Sequence, residues 1–493
     1  MNHALQTQCD TDPHMHRADQ ETVMSNTSIL SLPVEIIVKI FLEGTEFWRN
    51  FDPQTLPLPT AVSGVCHHWR EISEDMPELW TYILPPLHKE LDDCLDWTSK
   101  WLERSKSMLV SVVLDDMKVT TDFKRPQVTA AKRKIAKILN LLLEHAHRVL
   151  RLDVRAASHG AFKEFMRDLW NAPNLQQLSL CARFHVGHGY MFLPDDDHLE
   201  WSVLPRLSNL RKFRFQNISP PSIATLTSLT AHNLQLDYQG MRTLFTGSPH
   251  LAHLVLHNLP PSAPRQHPAD YPAITLHALQ SIAVDVMTWR FDEPDLFYPF
   301  SFLCLPNLSH LEIGGDMPAI DRLFGSSLSL AAVRKLRLSN MNRLLDDVQY
   351  FQQLSSLEQL ELFGVPASKI FSPSQNQSNG QNRPAKAFSP TWPHLRSVTL
   401  DTTDLKTLLS TLQFVEDRLG RPPLKLQNLT VSRNAMGLLR KGDKTSDAHS
   451  RFMSKFGESR GEKWLDSLVE VTTLKGPSYG LLDGSRVPLA AMP

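Results

Sequence analysis

One six-residue pattern recurs along most of this chain and limits the folds open to it: a leucine, two variable residues, an apolar residue, one variable residue and a second apolar residue. It appears as LQQLSL from Leu175, LRKFRF from Leu210, LAHLVL from Leu251, LQSIAV from Leu279, LSHLEI from Leu308, VRKLRL from Val333, LEQLEL from Leu357 and LRSVTL from Leu395. LVSVVL from Leu109, LQNLTV from Leu426 and a degraded SLVEVTTL near Leu468 extend the series. The alternating end of each copy reads as a short strand, and the first Leu, commonly preceded by Pro-Asn or Pro-His, marks the turn that enters it. A single copy cannot hide its apolar side, whereas stacked copies share one core and align their strands in parallel.

The repeating unit resembles a leucine-rich repeat. That resemblance implies an α/β fold: an irregular solenoid over 109–475 with one parallel strand per repeat on a concave face. Intervals such as Leu175 to Leu210 and Leu357 to Leu395 exceed the roughly 20–29 residues of regular leucine-rich repeats, hence the irregularity. Between strands the chain reads as helical or irregular, for example Phe162 to Trp170 with Phe162, Phe165, Met166 and Leu169 on one face. The segment 368–392 is polar and low in complexity and is expected to be a disordered insertion.

Strand side chains alternate, so the variable residues between the apolar positions should point out across the concave sheet. They are Gln177 and Ser179, Lys212 and Arg214, His253 and Val255, Ser281 and Ala283, His310 and Glu312, Lys335 and Arg337, Gln359 and Glu361, Ser397 and Thr399. Lys212 with Arg214 and Lys335 with Arg337 are same-face basic pairs of the kind that clasps an acidic or phosphorylated segment through charge-assisted hydrogen bonds. With His253 and His310 they are the candidate target-binding residues. A solvated strand face is the plain alternative, since Glu312 and Glu361 dilute the positive field.

Ahead of the repeats, Leu30 to Trp80 holds two apolar helical faces and a Leu-Trp plug. Pro33 fits the opening turn of a first helix, where its missing N–H costs nothing. Ile36 with Ile40 and Ile37 with Phe41 stack at a spacing of four, giving one broad apolar face, and Gly44 ends the helix. A second helix carries Val62, Val65, Cys66, Trp69 and Ile72 inward and His67, His68, Arg70 and Glu71 outward. Pro77 closes it and opens a last turn with Leu79 and Trp80. A unit of about 60 residues buries only about 60% of its unfolded surface, so this one calls for a partner. Periodicity alone favours the plainer reading of two amphipathic helices covering a neighbouring domain.

The residues LPxExxxxIF (Leu32 to Phe41), VSxVCxxWR (Val62 to Arg70) and PxLW (Pro77 to Trp80) resemble the F-box, the motif that docks substrate receptors onto Skp1. The resemblance covers 28–84 and implies that Leu32, Pro33, Ile36, Ile40, Phe41, Val65, Cys66, Trp69, Leu79 and Trp80 serve the contact with a Skp1-like adaptor, and through it a cullin. It differs from a compact F-box by an insertion at 44–59, read as a loop because Pro53, Pro57 and Pro59 forbid a continuous helix. That insertion and the WLERS segment at Trp101 to Ser105 are similar to fungal F-box proteins. Residues 85–108 read as a helical junction with Leu91, Leu95 and Leu102 on one side and Trp97 and Trp101 four apart. Residues 1–27 and 476–493 read as tails. The expected function is that of a substrate-recognition adaptor of an SCF-type (Skp1, cullin, F-box) ubiquitin ligase. The runner-up is a repeat scaffold whose F-box-like segment only caps the first repeat.

Composition narrows the remaining classes. The 493 residues carry 51 basic and 52 acidic side chains, so no global attraction to nucleic acid or an anionic membrane is expected. Cys9, Cys66, Cys94, Cys181 and Cys304 make no CxxC pair, which fits a reducing, cytoplasmic or nuclear setting. No apolar run reaches the roughly 18 residues of a membrane span, and the start lacks the basic and apolar regions of a signal peptide. Lys124 to Lys134 is basic, with Lys132 to Lys137 read as the wet face of a helix carrying Ile135, Ile138 and Leu142. There is no GxSxG, GxxxxGK[ST], HExxH or strand-linked GxGxxG. The pairs His14/His16, His145/His147 and His185/His188 and the run Asp195 to Asp197 lack the partners of a metal site. A non-catalytic adaptor without cofactor or metal is the expectation.

Overall fold

A computed structural model of the chain describes residues 29, 32–49, 57–115, 125–156, 172–182, 207–216, 223–232, 234, 238–259, 271–286, 302–315, 330–340, 354–365, 368–371, 392–402, 407–408, 410–412, 414, 428–431 and 469–470. The chain divides into two units, 1–79 and 80–493. The expected tails, the helix at Phe162 to Trp170, His14/His16, His185/His188 and Asp195 to Asp197 lie outside the described residues.

In the first unit, the Pro33 carbonyl accepts from the amides of Ile36 (3.0 Å) and Ile37 (3.2 Å) and starts α1 (Val34–Arg49). Gly44 does not end this helix, contrary to the sequence reading. A Cβ there would lie 3.0 Å from Leu58 Cδ2, so the glycine admits the next helix against α1, which offsets the roughly 1 kcal/mol that an interior glycine costs. Because α1 runs on and α2 (Leu58–Ser63) begins early, the proline-rich connection shrinks to 50–57, of which 50–56 are outside the described residues.

The expected second helix is two. The chain breaks after α2, and α3 (His67–Asp75) starts anew from Cys66, whose backbone is extended and whose Sγ accepts from the Trp69 amide at 3.5 Å. Apolar spacing continues across this break, so periodicity could not reveal it. Arg70 Nε donates to the Ser63 carbonyl at the end of α2 (3.0 Å), and the Ser63 and Ser73 hydroxyls meet at 2.8 Å. Phe41 and Trp69 pack edge to face at 5.1 Å. A 3-10 turn at Pro77–Trp80 follows.

The second unit is α/β, with strands β1 (Tyr82–Ile83), β2 (Val110–Asp115), β3 (Val149–Ala156), β4 (Gln177–Ala182), β5 (Lys212–Gln216), β6 (Ser228–His232), β7 (His253–Leu259), β8 (Ile274–Thr275), β9 (Ser281–Val286), β10 (Leu303–Cys304), β11 (His310–Gly315), β12 (Lys335–Ser339), β13 (Gln359–Phe363), β14 (Ser397–Asp401), β15 (Asn428–Val431) and β16 (Val469–Glu470). All but β8 and β10 form one 14-stranded sheet in chain order, every neighbouring pair parallel; β8 and β10 pair separately. Each sequence copy of the six-residue pattern supplies one of these strands.

Three strands of the 14-stranded sheet have no counterpart in the sequence reading, nor do the separately paired β8 and β10. β1 opens the sheet at Tyr82, before the expected start at 109. β3 and β6 fill two of the wide gaps in the repeat series, between Leu109 and Leu175 and between Leu210 and Leu251. Their sequences, VLRLDV and LTSLTA, keep the spacing but use Val at the first position or Ala at the last, and a search for leucine misses them.

Cores follow from register. One ladder runs Leu178, Phe213, Leu229, Leu254, Ile282 and Leu311 across adjacent strands, and all six are buried. The helix α4 (Leu91–Arg104) buries Cys94, Thr98, Trp101 and Leu102; of the side expected from the sequence Leu102 is buried, while Leu91 and Leu95 are only half-buried. Trp80 is 1% exposed, edge-on to Trp101 at 5.0 Å and beneath the Arg104 guanidinium at 4.4 Å. Arg148 ties α4 to β3 by donating to the Leu102 carbonyl (3.2 Å) and the Met108 carbonyl (3.1 Å).

From Arg125 onward the basic stretch belongs to α5 (Arg125–Glu144), where Ile135, Ile138 and Leu142 are buried. The expected disordered insertion is corrected at both ends. Ile370 and Phe371 of α7 (Ser368–Phe371) and Trp392 are buried, and Phe371 and Trp392 both pack on Phe414, at 4.8 and 5.9 Å. Between β6 and β7, α6 (Tyr238–Thr246) buries Met241, Leu244 and Phe245. No described helix is long and apolar enough to cross a membrane.

Candidate functional site

Two surfaces bring the sequence-selected residues together, one on each unit. On α1 the expected single apolar face is split. Ile37 and Phe41 are each 1% exposed, whereas Ile36 and Ile40 are each 45% exposed and, with exposed Pro33 three residues before Ile36, make a second apolar stripe toward solvent. Ile29, Val34, Leu42 and Val65 are exposed as well, so six of the eight exposed large hydrophobics among the described residues lie in this small unit.

The break between α2 and α3 explains Val65. It sits in the turn rather than on a continuous helix, and is 58% exposed. Leu32, Cys66 and Trp69 are half-buried, while Phe41 and Leu79 are interior. Trp80 is interior to the other unit. The ten sequence-selected residues therefore separate into those that reach solvent and those that hold the surface in place. Isolated exposed apolar residues are ordinary, but a concentration of them on so small a unit marks an interaction site.

The second surface is the sheet face opposite the apolar ladders. Register aligns the variable residues in lateral rows: Gln177, Lys212, Ser228, His253, Ser281, His310 and Lys335 in one, and Ser179, Arg214, Thr230, Val255, Ala283, Glu312, Arg337 and Glu361 in the next. Not all of these face solvent as expected. Val255, Ala283, Ser281 and Glu312 are buried, the small side chains being flanked by larger neighbours along each row.

The two basic pairs differ. Lys335 Nζ lies 2.8 Å from Glu361 Oε1, and Arg337 lies 3.2 Å from Glu312 and 3.7 Å from Glu361 with its guanidinium 4.5 Å over the Phe363 ring. This pair is neutralised within the fold, which removes it as a ready clasp for an anion. Lys212 is exposed and Arg214 half-buried, with no carboxylate within ion-pair distance of Arg214 among the described residues. His253 is exposed and its Nδ1 lies 2.7 Å from the Ser281 hydroxyl. His310 is half-buried, and burial, then Lys335, lowers its pKa to about 4.

A third row was missed in the sequence. It brings Asp115, Arg155, Cys181, Gln216, His232 and His257 into line. His232 and His257 stack at 4.2 Å and are both buried, and burial lowers their pKa values to about 2 and about 4, His257 and Arg214 adding to the shift of His232. Arg155 pairs with Asp115 (3.4 Å) and Asp153 (3.2 Å). Extending the alternation to the residue just past each six-residue copy would have found this row.

Among the described residues no three His, Cys, Asp or Glu side chains are grouped as a metal site would need. The chain matches no protein-family model, and no curated protein matches it.

Proposed function

We propose that the chain is a substrate-recognition adaptor of an SCF-type ubiquitin ligase, with the first unit acting as an F-box that docks a Skp1-like adaptor and the sheet unit acting as an irregular leucine-rich-repeat solenoid that holds a target protein. The single observation that carries the reading is the outward apolar stripe on α1: Ile36 and Ile40 are exposed on a helix whose other side already buries Ile37 and Phe41. A helix apolar on two sides has more apolar surface than its own unit covers, and a docked partner removes the excess from water. The three F-box-like signatures name that partner as Skp1-like.

In this reading Pro33, Ile36, Ile40 and Val65 make the contact, with Leu32, Cys66 and Trp69 at its edge and Phe41 and Leu79 beneath it. The adaptor makes no covalent bond. It raises the local concentration of target lysines near a charged conjugating enzyme, as linked binding modules do. Fourteen parallel strands in chain order support a repeat solenoid, an architecture whose extended face suits protein binding. Co-purification of the full chain with a Skp1-like protein tests the proposal: capture by the wild type and its loss on Ile36→Asp with Ile40→Asp are expected, and failure of the wild type to bind rejects it.

A further inference from the structure

Five arginines of the sheet unit are described and not exposed: Arg104, Arg148, Arg155, Arg214 and Arg337. Four have a counter-charge, a carbonyl or an aromatic ring. Arg104 lies over Trp80, Arg148 donates to carbonyls, Arg155 has Asp115 and Asp153, and Arg337 has Glu312 and Glu361. Among the described residues Arg214 has only the neutral imidazole of His232. Its Nη2 lies 3.1 Å from His232 Nε2, and its Nε is buried with no hydrogen-bond partner.

The chemistry of that contact is fixed. A guanidinium only donates, so His232 Nε2 accepts and the imidazole is the neutral Nδ1–H tautomer. His232 therefore brings no negative charge, and its own Nδ1 is buried without a partner. The lateral neighbours of Arg214 are Ser179 and Thr230, which are uncharged, and Lys212 stands two residues away between Gln177 and Ser228. Cys181, also close enough to feel Arg214, has its thiol pushed up by burial and stays neutral. The nearest row acid on the β1 side, Asp153 on β3, is already 3.2 Å from Arg155 and lies two strands from Arg214, about 10 Å at ordinary strand spacing.

A half-buried cation whose fixed partner is neutral is costly until an anion arrives, and the anion gains charge-assisted bonds on arrival. We propose that Arg214 is the anchoring cation for a carboxylate of an acidic segment on the target protein, received on the β4 to β7 part of the sheet face and not on the self-neutralised β11 to β13 part. One guanidinium matches the single charge of a carboxylate, and the register neighbours of Arg214, Ser179 and Thr230, both carry hydroxyls. The inference rests on the reading of this sheet as the target-holding surface.

The test uses the full chain, a fluorescein-labelled hexaglutamate peptide and anisotropy at low ionic strength. Arg214→Gln is expected to weaken binding about tenfold to a hundredfold, the range typical of lost charged hydrogen bonds, and Arg214→Lys to weaken it less. Lys335→Gln is expected to leave it unchanged, and thermal midpoints confirm that each variant is folded. No binding by the wild type, equal weakening by Arg214→Gln and Lys335→Gln, or binding of a phosphoserine peptide but not hexaglutamate would each overturn the assignment. Capture of a Skp1-like protein is measured on the same Arg214→Gln preparation and is expected to be intact. Loss of Skp1 capture in the wild type with peptide binding retained counts against the adaptor function alone.

Discussion

Ile36 and Ile37 are adjacent on α1, about 100° apart around the helix, yet the first is 45% exposed and the second 1% exposed. This pair separates docking from folding. Ile37→Ala removes buried apolar volume and is expected to destabilise the first unit by about 2–4 kcal/mol. Ile36→Ala should change stability by less than about 1 kcal/mol. Hydrogen-exchange mass spectrometry of the full chain across a urea series, read on peptides of the first unit, checks both; equal costs at the two positions would contradict the split face.

Glu312 is 2% exposed and its carboxylate is 3.2 Å from Arg337. Removing one partner of a buried pair strands the other, so Arg337→Leu is expected to cost about 3–5 kcal/mol. Adding Glu312→Leu should recover most of that, because two apolar side chains of this size can replace a buried ion pair at little net cost. A double-mutant cycle by denaturation measures the coupling, and additive effects would show that the two side chains act independently.

His232 and His257 carry an acid sensitivity whose sign is set by burial. Their folded-state pKa values, about 2 and about 4, lie below the ordinary 6.5, so below about pH 6.5 the unfolded chain takes up protons that the folded chain refuses. The stability they contribute is complete above pH 6.5 and falls as pH drops, through the window down to about 4 for His257 and about 2 for His232. Each refused proton is worth about 1.4 kcal/mol per pH unit. Unfolding midpoints at pH 7.5, 6.5 and 5.5 should fall over the last interval, and His257→Leu should reduce that slope by about one proton's worth. An unchanged slope would contradict the buried placement.

Gly314 on β11 is required by a close approach across the sheet. A Cβ there would lie 2.9 Å from Ser339 Oγ on β12, inside any normal contact. Gly314→Ala is expected to cost about 1–3 kcal/mol, as overpacking does, and Ser339→Ala in the same chain should restore most of it. Thermal unfolding of the single and double variants decides; no rescue would mean that the strain lies elsewhere.

Most strands of the main sheet were legible because Leu175, Leu308 and Leu357 each open a copy with the same internal apolar spacing, which fixes the strand and its buried face. β3 and β6 were not, since Val149 and Ala231 satisfy the packing without satisfying a leucine rule. On the first unit the residue types were legible and their directions were not. Ile36, Ile37, Ile40 and Phe41 all fit a broad apolar arc, and only the placement of α2 and α3 decides which half of that arc is covered. The pairing of Lys335 and Arg337 with Glu312 and Glu361 depends on strand register, which brings together residues from separate repeats. The same holds for the stacking of His232 on His257.

The central claim is that the outward stripe of α1 docks a Skp1-like protein. Isothermal titration of the full chain with purified Skp1-like protein measures it most directly. The account predicts saturable binding by the wild type, loss of at least tenfold in affinity for Ile36→Asp with Ile40→Asp at unchanged thermal midpoint, and no effect of Arg214→Gln. Absence of wild-type binding, or full affinity in the double variant, would contradict it and leave a repeat scaffold without ligase recruitment.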